Sequence, residues 1–127
     1  MEFQLGELSQ VHYGLRALFD QELDAKLQWV VSRDLAKIEE ELRRLREIQL
    51  QTIEKHDGEL TEDGAEYPSE EDEVAAKEEF KELLEETVQL DIVPVEFDRL
   101  EGVKLTGQQM LALSKVLEGT PDAKGAS

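Results

Sequence analysis

The stretch that decides the fold is residues 25–56, AKLQWVVSRDLAKIEEELRRLREIQLQTIEKH. Its apolar side chains recur at steps of three, four and three, which places them on one stripe of a helix. The stripe consists of Leu35, Ile38, Leu42 and Leu45. Glutamate and arginine fill the positions between them and form a solvated opposite face. The spacing predicts a helix of about 30 residues, roughly 45 Å long, and a helix of that length needs a partner to cover its stripe.

The composition indicates one small domain with a strongly acidic surface. The chain has 127 residues and no cysteine, so we expect a modest core without disulfides or cysteine metal ligands. No apolar run approaches the roughly 18 residues that cross a bilayer, and the first residues lack the features of a signal peptide, which predicts a cytoplasmic protein. The net charge of −17 repels phosphate backbones, so direct binding to nucleic acid is not expected.

The negative charge is concentrated in one segment of the chain. Residues 56–91 carry two bases and fifteen acids, whereas residues 26–55 carry seven bases and six acids. Within the acidic segment, residues 58–67 have no apolar periodicity and predict a mobile loop, and residues 70–90 predict an acidic helix that Ser69 caps. The acidic helix and the more basic long helix together predict an antiparallel hairpin over residues 25–90, held by an apolar seam and oriented by charge.

The two ends of the chain predict short helices and a small β element. Residues 3–5 and 92–97 alternate apolar and polar side chains, and we expect them to pair as a two-stranded sheet. Helices are predicted from Ser9 to about Leu23, with a break at Asp24, and from a capping box at Thr106 to Gly119. Two aromatic residues beside apolar neighbours are expected in the core or seam, namely Tyr13 and Trp29.

The predicted fold class is therefore mostly α, in the α+β sense. A long-helix hairpin carries additional short helices and a small two-stranded β element. A single domain is expected over residues 1–119, with the N- and C-terminal segments packed on the hairpin. Residues 120–127 are expected to form a disordered tail.

No motif predicts catalysis. Glu78-Glu79-x-x-Glu82 matches the first acidic element of all-α nucleotide pyrophosphohydrolases, in which helix carboxylates bind Mg²⁺. No Glu-x-x-Asp follows it, and a helix so rich in glutamate gives such a match by chance. The two histidines lack the spacing of a metal pair, and neither a phosphate-binding loop nor a serine nucleophile motif is present. We expect no catalytic residue, no metal site and no cofactor.

The acidic segment is the best candidate for a partner surface. Rows of carboxylates on a rigid helix can imitate the phosphates of DNA and occupy the nucleic-acid-binding groove of another protein. The alternative is that these carboxylates only keep the protein soluble. The residues predicted to contact a partner are Glu70, Glu71, Asp72, Glu73, Glu78, Glu79 and Glu82.

The order of features along the chain carries a resemblance. The long charged helix is followed by an acidic loop, then by EEFKELLEETVQLDI at residues 78–92, and finally by VPVEFDRLEGVKLTGQQMLALSKVLE at residues 93–118. The most distinctive part is the Leu-Glu-Gly-Val step followed by a Leu-Thr helix start. Over residues 3–117 this order resembles small proteins of unknown function that tailed phages encode. The resemblance implies a phage or prophage accessory protein and supplies no catalytic residue.

These observations predict a non-catalytic, phage-encoded accessory protein that binds a host or phage protein and could inhibit a host protein through its acidic surface. It would act in the cytoplasm of the bacterial host. The alternative is a structural or assembly component of the phage particle that oligomerises through the apolar seam. A third interpretation is a metal-dependent hydrolase with an acidic site. No contact with membranes is expected.

Overall fold

Four α-helices dominate the computed structural model, which describes residues 1–119. They are α1 (Leu8–Phe19), α2 (Ala25–Lys55), α3 (Glu70–Glu85) and α4 (Gly107–Leu113). The described part of the chain also contains six short strands in three two-stranded sheets. The predicted mostly α fold with a small β component is confirmed, although three strand pairs replace the expected one. The tail predicted for residues 120–127 lies outside the described residues.

The long helix α2 has the predicted limits. Asp24 caps its N-terminus, because the Asp24 side chain accepts a hydrogen bond of 2.8 Å from the backbone N–H of Leu27. This cap separates α2 from α1, so the predicted break at Asp24 is confirmed. Asp57 follows the helix in the left-handed conformation, with φ of 59°, and thereby turns the chain away from the helix axis.

The core lies between α1, the first half of α2 and α4. The apolar stripe of α2 is covered mainly by α1, and Val31 and Ile38 are fully buried there. Gly14 of α1 permits a close approach to α4, since a Cβ atom at this position would lie 2.9 Å from Cγ of Leu113 and 3.1 Å from Cβ of Ala112. The main partner of the long helix is therefore α1. The sequence had predicted the acidic helix, α3, as its main partner.

Helix α3 runs back along the second half of α2, so the predicted antiparallel arrangement is present but loosely packed. Lys55, the last residue of α2, pairs with Glu79, and Leu45 and Leu84 further along line one cavity. Ala76 is the one residue of α3 that is buried. The acidic helix thus contributes little to the core.

The strand partners differ from the predicted pairing of residues 3–5 with residues 92–97. Strand β1 (Glu2–Gln4) pairs antiparallel with β4 (Thr87–Gln89), and Phe3 lies opposite Val88. The prediction was wrong because α3 ends at Glu85 instead of about Leu90. Thr87 and Val88, which follow α3, are β-branched and form a strand. This strand occupies the position beside β1 that had been predicted for residues 92–97. Strand β5 (Val95–Glu96) instead pairs in parallel with β6 (Leu117–Glu118).

Residues 58–67, predicted as a loop without regular structure, contain a short hairpin. Strands β2 (Glu59–Thr61) and β3 (Gly64–Glu66) pair antiparallel, with Thr61 opposite Gly64. Gly64 has a φ of 117°, which only glycine adopts without strain and which closes the tight connection. These strands carry no recognisable sequence pattern, because they are mostly exposed and lack alternating apolar residues.

The limits of α1 and α4 and the exposure of two aromatic side chains also differ from the predictions. Helix α1 begins at Leu8, before Ser9, and ends at Phe19. Helix α4 begins at the predicted Thr106 capping box but ends at Leu113, and a 3-10 turn precedes β6. Trp29 is 65% exposed and Tyr13 is 49% exposed, so neither is a core residue. Among the residues described, no helix combines the length and apolar character that crossing a membrane requires.

Candidate functional site

Helix α3 carries all seven predicted partner residues, and its first turn is a favourable place for acidic side chains. Ser69 caps the helix by accepting a hydrogen bond of 3.2 Å from the N–H of Asp72, as predicted. The four residues of the first turn are all acidic. Their charges are favourable there, because the N-terminus of a helix carries partial positive charge. These acids therefore stabilise α3 whether or not a partner is present.

The structure separates the seven predicted partner residues into two groups. Three of them form bonds within the chain. Asp72 accepts a hydrogen bond from Ser69, Glu73 forms an ion pair of 2.8 Å with Lys77, and Glu79 pairs with both Lys55 and His56. These three side chains are engaged internally and are poor candidates for partner contacts.

The other four residues form an exposed surface with a fifth acid that the sequence analysis did not select. Glu85 lies seven residues after Glu78 and shares its side of the helix. None of the five forms an ion pair with another residue in the described range 1–119. Val74, 49% exposed, lies among them. We call this surface the outer acidic face; its acids are Glu70, Glu71, Glu78, Glu82 and Glu85.

Glu79 has a structural task that separates it from the outer acidic face. Its carboxylate receives hydrogen bonds from Lys55 and from His56, 3.0 Å away. These bonds hold the pKa of Glu79 below its ordinary value, with Lys55 as the larger cause. The contact fastens α3 to the end of α2. The ion pairs between the two helices are formed by Lys55 and His56 and not by the arginines of α2.

The seam between α2 and α3 is incompletely filled. A cavity of about 450 Å³ lies between the second half of α2, the β2–β3 hairpin and α3. Ile53 and Phe80 line it, and Phe80 also lines a smaller cavity of about 220 Å³ beside Leu84. Phe80, Leu83 and Leu84 of α3 therefore remain half-buried, which agrees with the weak contribution of this helix to the core.

A buried carboxyl group, Asp34, was missed by the sequence analysis. Asp34 is fully buried in α2, and its Oδ1 atom accepts a hydrogen bond of 3.0 Å from the N–H of Val93. Its Oδ2 atom has no hydrogen-bond partner among the described residues. Burial raises the pKa of Asp34 to about 6, and the Val93 N–H and the nearby Lys37 and Arg33 only partly oppose this effect.

The position of Asp34 offered one signal that sequence reasoning could have used. Asp34 lies three residues after Val31 and four before Ile38, which places a carboxylate on the apolar stripe of the long helix. Its hydrogen bond attaches the extended segment before β5 to α2. Lys37 reinforces this attachment by pairing with Asp91.

The carboxylates of Glu78-Glu79-x-x-Glu82 are not arranged as the metal ligands of a hydrolase would be. Glu79 is used by Lys55 and His56, whereas Glu78 and Glu82 belong to the outer acidic face. Within residues 1–119, no three histidine, aspartate or glutamate side chains converge as metal ligands would.

No protein-family model, no curated protein and no solved structure matches this chain. The outer acidic face is therefore interpreted from its own chemistry.

Proposed function

We propose that the protein is a non-catalytic accessory protein that binds another protein through the outer acidic face of α3. The observation that carries the proposal is the acid at the C-terminal end of this helix. Glu82 and Glu85 lie where the helix dipole is unfavourable to negative charge, and the last turn contains no basic residue. Glu78 and Glu82 also repel each other at a spacing of four residues.

The acids at the C-terminal end are unfavourable for α3, and neither Glu82 nor Glu85 forms an ion pair within residues 1–119. Each unfavourable dipole or like-charge interaction costs a few tenths of a kcal/mol. A basic surface on a partner would turn both effects into attraction. The acids of the first turn stabilise the helix by themselves, so it is the C-terminal acids, Glu82 and Glu85, that favour an external partner.

The arrangement of the carboxylates indicates what kind of partner would fit. The acids from Glu71 to Glu85 extend over about 21 Å of helix, and Val74 provides an apolar contact beside them. A rigid row of negative charges complements the basic groove of a nucleic-acid-binding protein. We propose that occupation of such a groove inhibits a host protein. The phage origin and the bacterial cytoplasm as its setting are supported by the sequence resemblance over residues 3–117.

The test is a comparison of charge-reversal variants in affinity capture from a bacterial lysate. The variant Glu78→Lys with Glu82→Lys reverses the middle of the outer acidic face and leaves Glu79 in place to hold α3. The matched control, Glu47→Lys with Glu54→Lys, makes the same change in net charge on exposed residues of α2. We expect a protein retained by the wild type and by the control to be lost from the α3 variant.

Two further measurements make this test decisive. Circular dichroism must show equal helicity in both variants, so that loss of binding reports on the surface and not on unfolding. The affinity for the captured protein should fall steeply as salt increases, because both surfaces are charged. Equal capture by both variants, or an affinity insensitive to salt, would contradict the proposal.

A structural or assembly role in the phage particle remains the second candidate, and exposed apolar side chains favour it. Trp29 is 65% exposed and Leu111 is 70% exposed, and tryptophan is enriched among the residues that dominate protein–protein contacts. This interpretation predicted oligomerisation through the apolar seam between α2 and α3, which the two helices fill only in part. The molar mass in solution distinguishes an assembling protein from a monomeric inhibitor.

A further inference from the structure

The C-terminal segment encloses a cavity that the proposed function does not use. The cavity has a volume of about 460 Å³, within the range of about 300 to 1,000 Å³ typical of small-molecule sites. Leu100 is buried at its base, and the other apolar side chains are half-buried. The apolar lining consists of Phe97, Leu100, Val103, Leu105 and Met110.

The local sequence explains why these side chains converge. Residues 97–100 form a 3-10 turn, and Gly102 then reverses the chain with a φ of 84°. Val103 and Leu105 line the cavity while Lys104 between them is exposed. The capping box at Thr106 starts α4 and brings Met110 to the opposite wall.

The charged side chains that line the cavity are both acidic. They are Asp98 and Glu101, and neither forms an ion pair with a residue in the range 1–119. The nearby Arg99 is paired with Glu96 at 3.4 Å. The cavity thus combines an apolar interior with two free carboxylates at its edge.

We propose that this cavity binds a small hydrophobic organic cation, such as an aryl alkylamine. The apolar part of the ligand would contact Phe97 and Met110, whose ring and thioether favour aromatic groups. Its ammonium group would lie at the edge, near Asp98 and Glu101. An anionic ligand of the same shape is disfavoured, because neither carboxylate forms an ion pair with a residue in the range 1–119. The site is independent of the outer acidic face of α3.

The two methionines of the chain, Met1 and Met110, allow a direct test by NMR with isotope-labelled methionine methyl groups. Met110 lines the cavity, and Met1 lies at the β1–β4 pair, where it provides an internal control. The probes are 4-phenylbutylamine, 4-phenylbutanol and 5-phenylpentanoate, which share a phenylbutyl group and differ in charge. We expect the amine to shift the Met110 signal saturably, with an affinity about threefold to fivefold above that of the alcohol. The carboxylate should bind most weakly.

A pair of variants separates local attraction from the effect of the overall negative charge. Asp98→Asn with Glu101→Gln removes the two carboxylates at the cavity. Glu47→Gln with Glu54→Gln removes two exposed carboxylates of α2 and leaves the cavity intact. The first variant should lose the preference for the amine over the alcohol, and the second should keep it.

Several outcomes would overturn the proposal. They are an equal loss of preference in both variants, equal affinity for all three probes, shifts of both methionines together, and no saturable shift at millimolar concentrations of the amine. Binding of a basic peptide that contains phenylalanine, without binding of the amine, would also overturn it and would assign the cavity to a protein partner.

Discussion

The molecule has two regions that differ in what holds them together. The core region comprises α1, the first half of α2, α4 and their strands, and it contains the whole cluster of fully packed apolar side chains. The distal region, residues 39–86, contains the second half of α2, the β2–β3 hairpin and α3. Its buried residues are Leu45, Thr52, Ile53 and Ala76.

The negative charge is concentrated in the distal region, which has the fewest buried apolar residues. The distal region includes most of the segment with two bases and fifteen acids, together with the incompletely filled seam between α2 and α3. Self-repulsion therefore acts where few apolar contacts oppose it, and local opening should begin there. The surface proposed to bind a partner therefore belongs to the part of the protein that the core constrains least.

The largest expected effect compares the same substitution in the two regions. Leu15 of α1 is fully buried, whereas Leu84 of α3 is half-buried beside a cavity. Leu15→Ala should lower the free energy of unfolding by about 3 kcal/mol. Leu84→Ala should lower it by about 1 kcal/mol. The half-buried Leu84 side chain loses less apolar contact, and its removal only enlarges a cavity that is already open to solvent. Urea denaturation measures both values, and equal losses would contradict the division into two regions.

The second prediction concerns the pH dependence of stability that the buried carboxyl group of Asp34 should cause. The pKa of Asp34 is raised to about 6, above its ordinary value of 3.8. Between these pH values the folded state binds a proton that the unfolded state has released, so acidification stabilises the fold. The free energy of unfolding of the wild type should rise by about 1 kcal/mol between pH 7 and pH 5. Urea denaturation at several pH values measures this change.

Asp34→Asn supplies the control for this pH effect. The variant keeps an oxygen acceptor for Val93 and cannot ionise, while all other acids remain. It should lack the stabilisation on acidification. Glu7 and Glu79 have lowered pKa values, so their contributions are lost only at more acidic pH and do not interfere. The same pH dependence in both proteins would show that Asp34 is not responsible.

The smallest effect concerns the charge of α3 in the distal region. Glu85→Lys places a positive charge in the last turn of α3, next to the negative end of the helix dipole. The variant should stabilise α3 by about 0.5 kcal/mol, measured by hydrogen exchange of the α3 amides. Glu70→Lys makes the same charge change in the first turn and should destabilise α3 instead. Shifts of the same sign in both variants would indicate that overall charge, and not the helix dipole, sets the stability.

The periodic and capped elements could be predicted from the sequence. The long helix, the break at Asp24 and the capping box at Thr106 depend on neighbouring residues only, and each was located correctly. The strand pairs could not be predicted, because strands of two or three residues carry little pattern and their partners are distant in sequence. The acidic face was predicted in part, since helical spacing groups Glu78 with Glu82 but does not show that Lys55 and His56 bind Glu79.

The long helix, the acidic helix and the uneven charge follow from local spacing and composition, so the sequence alone predicts them. Which helix covers the long one depends on contacts between distant residues, which appear only in the folded chain. Gly14 weakens α1 by about 1 kcal/mol relative to alanine as a helix former, yet it lets α4 pack against α1 at a distance that a Cβ atom would prevent. Burial likewise decided the state of Asp34, since its solvation depends on residues far away in the chain.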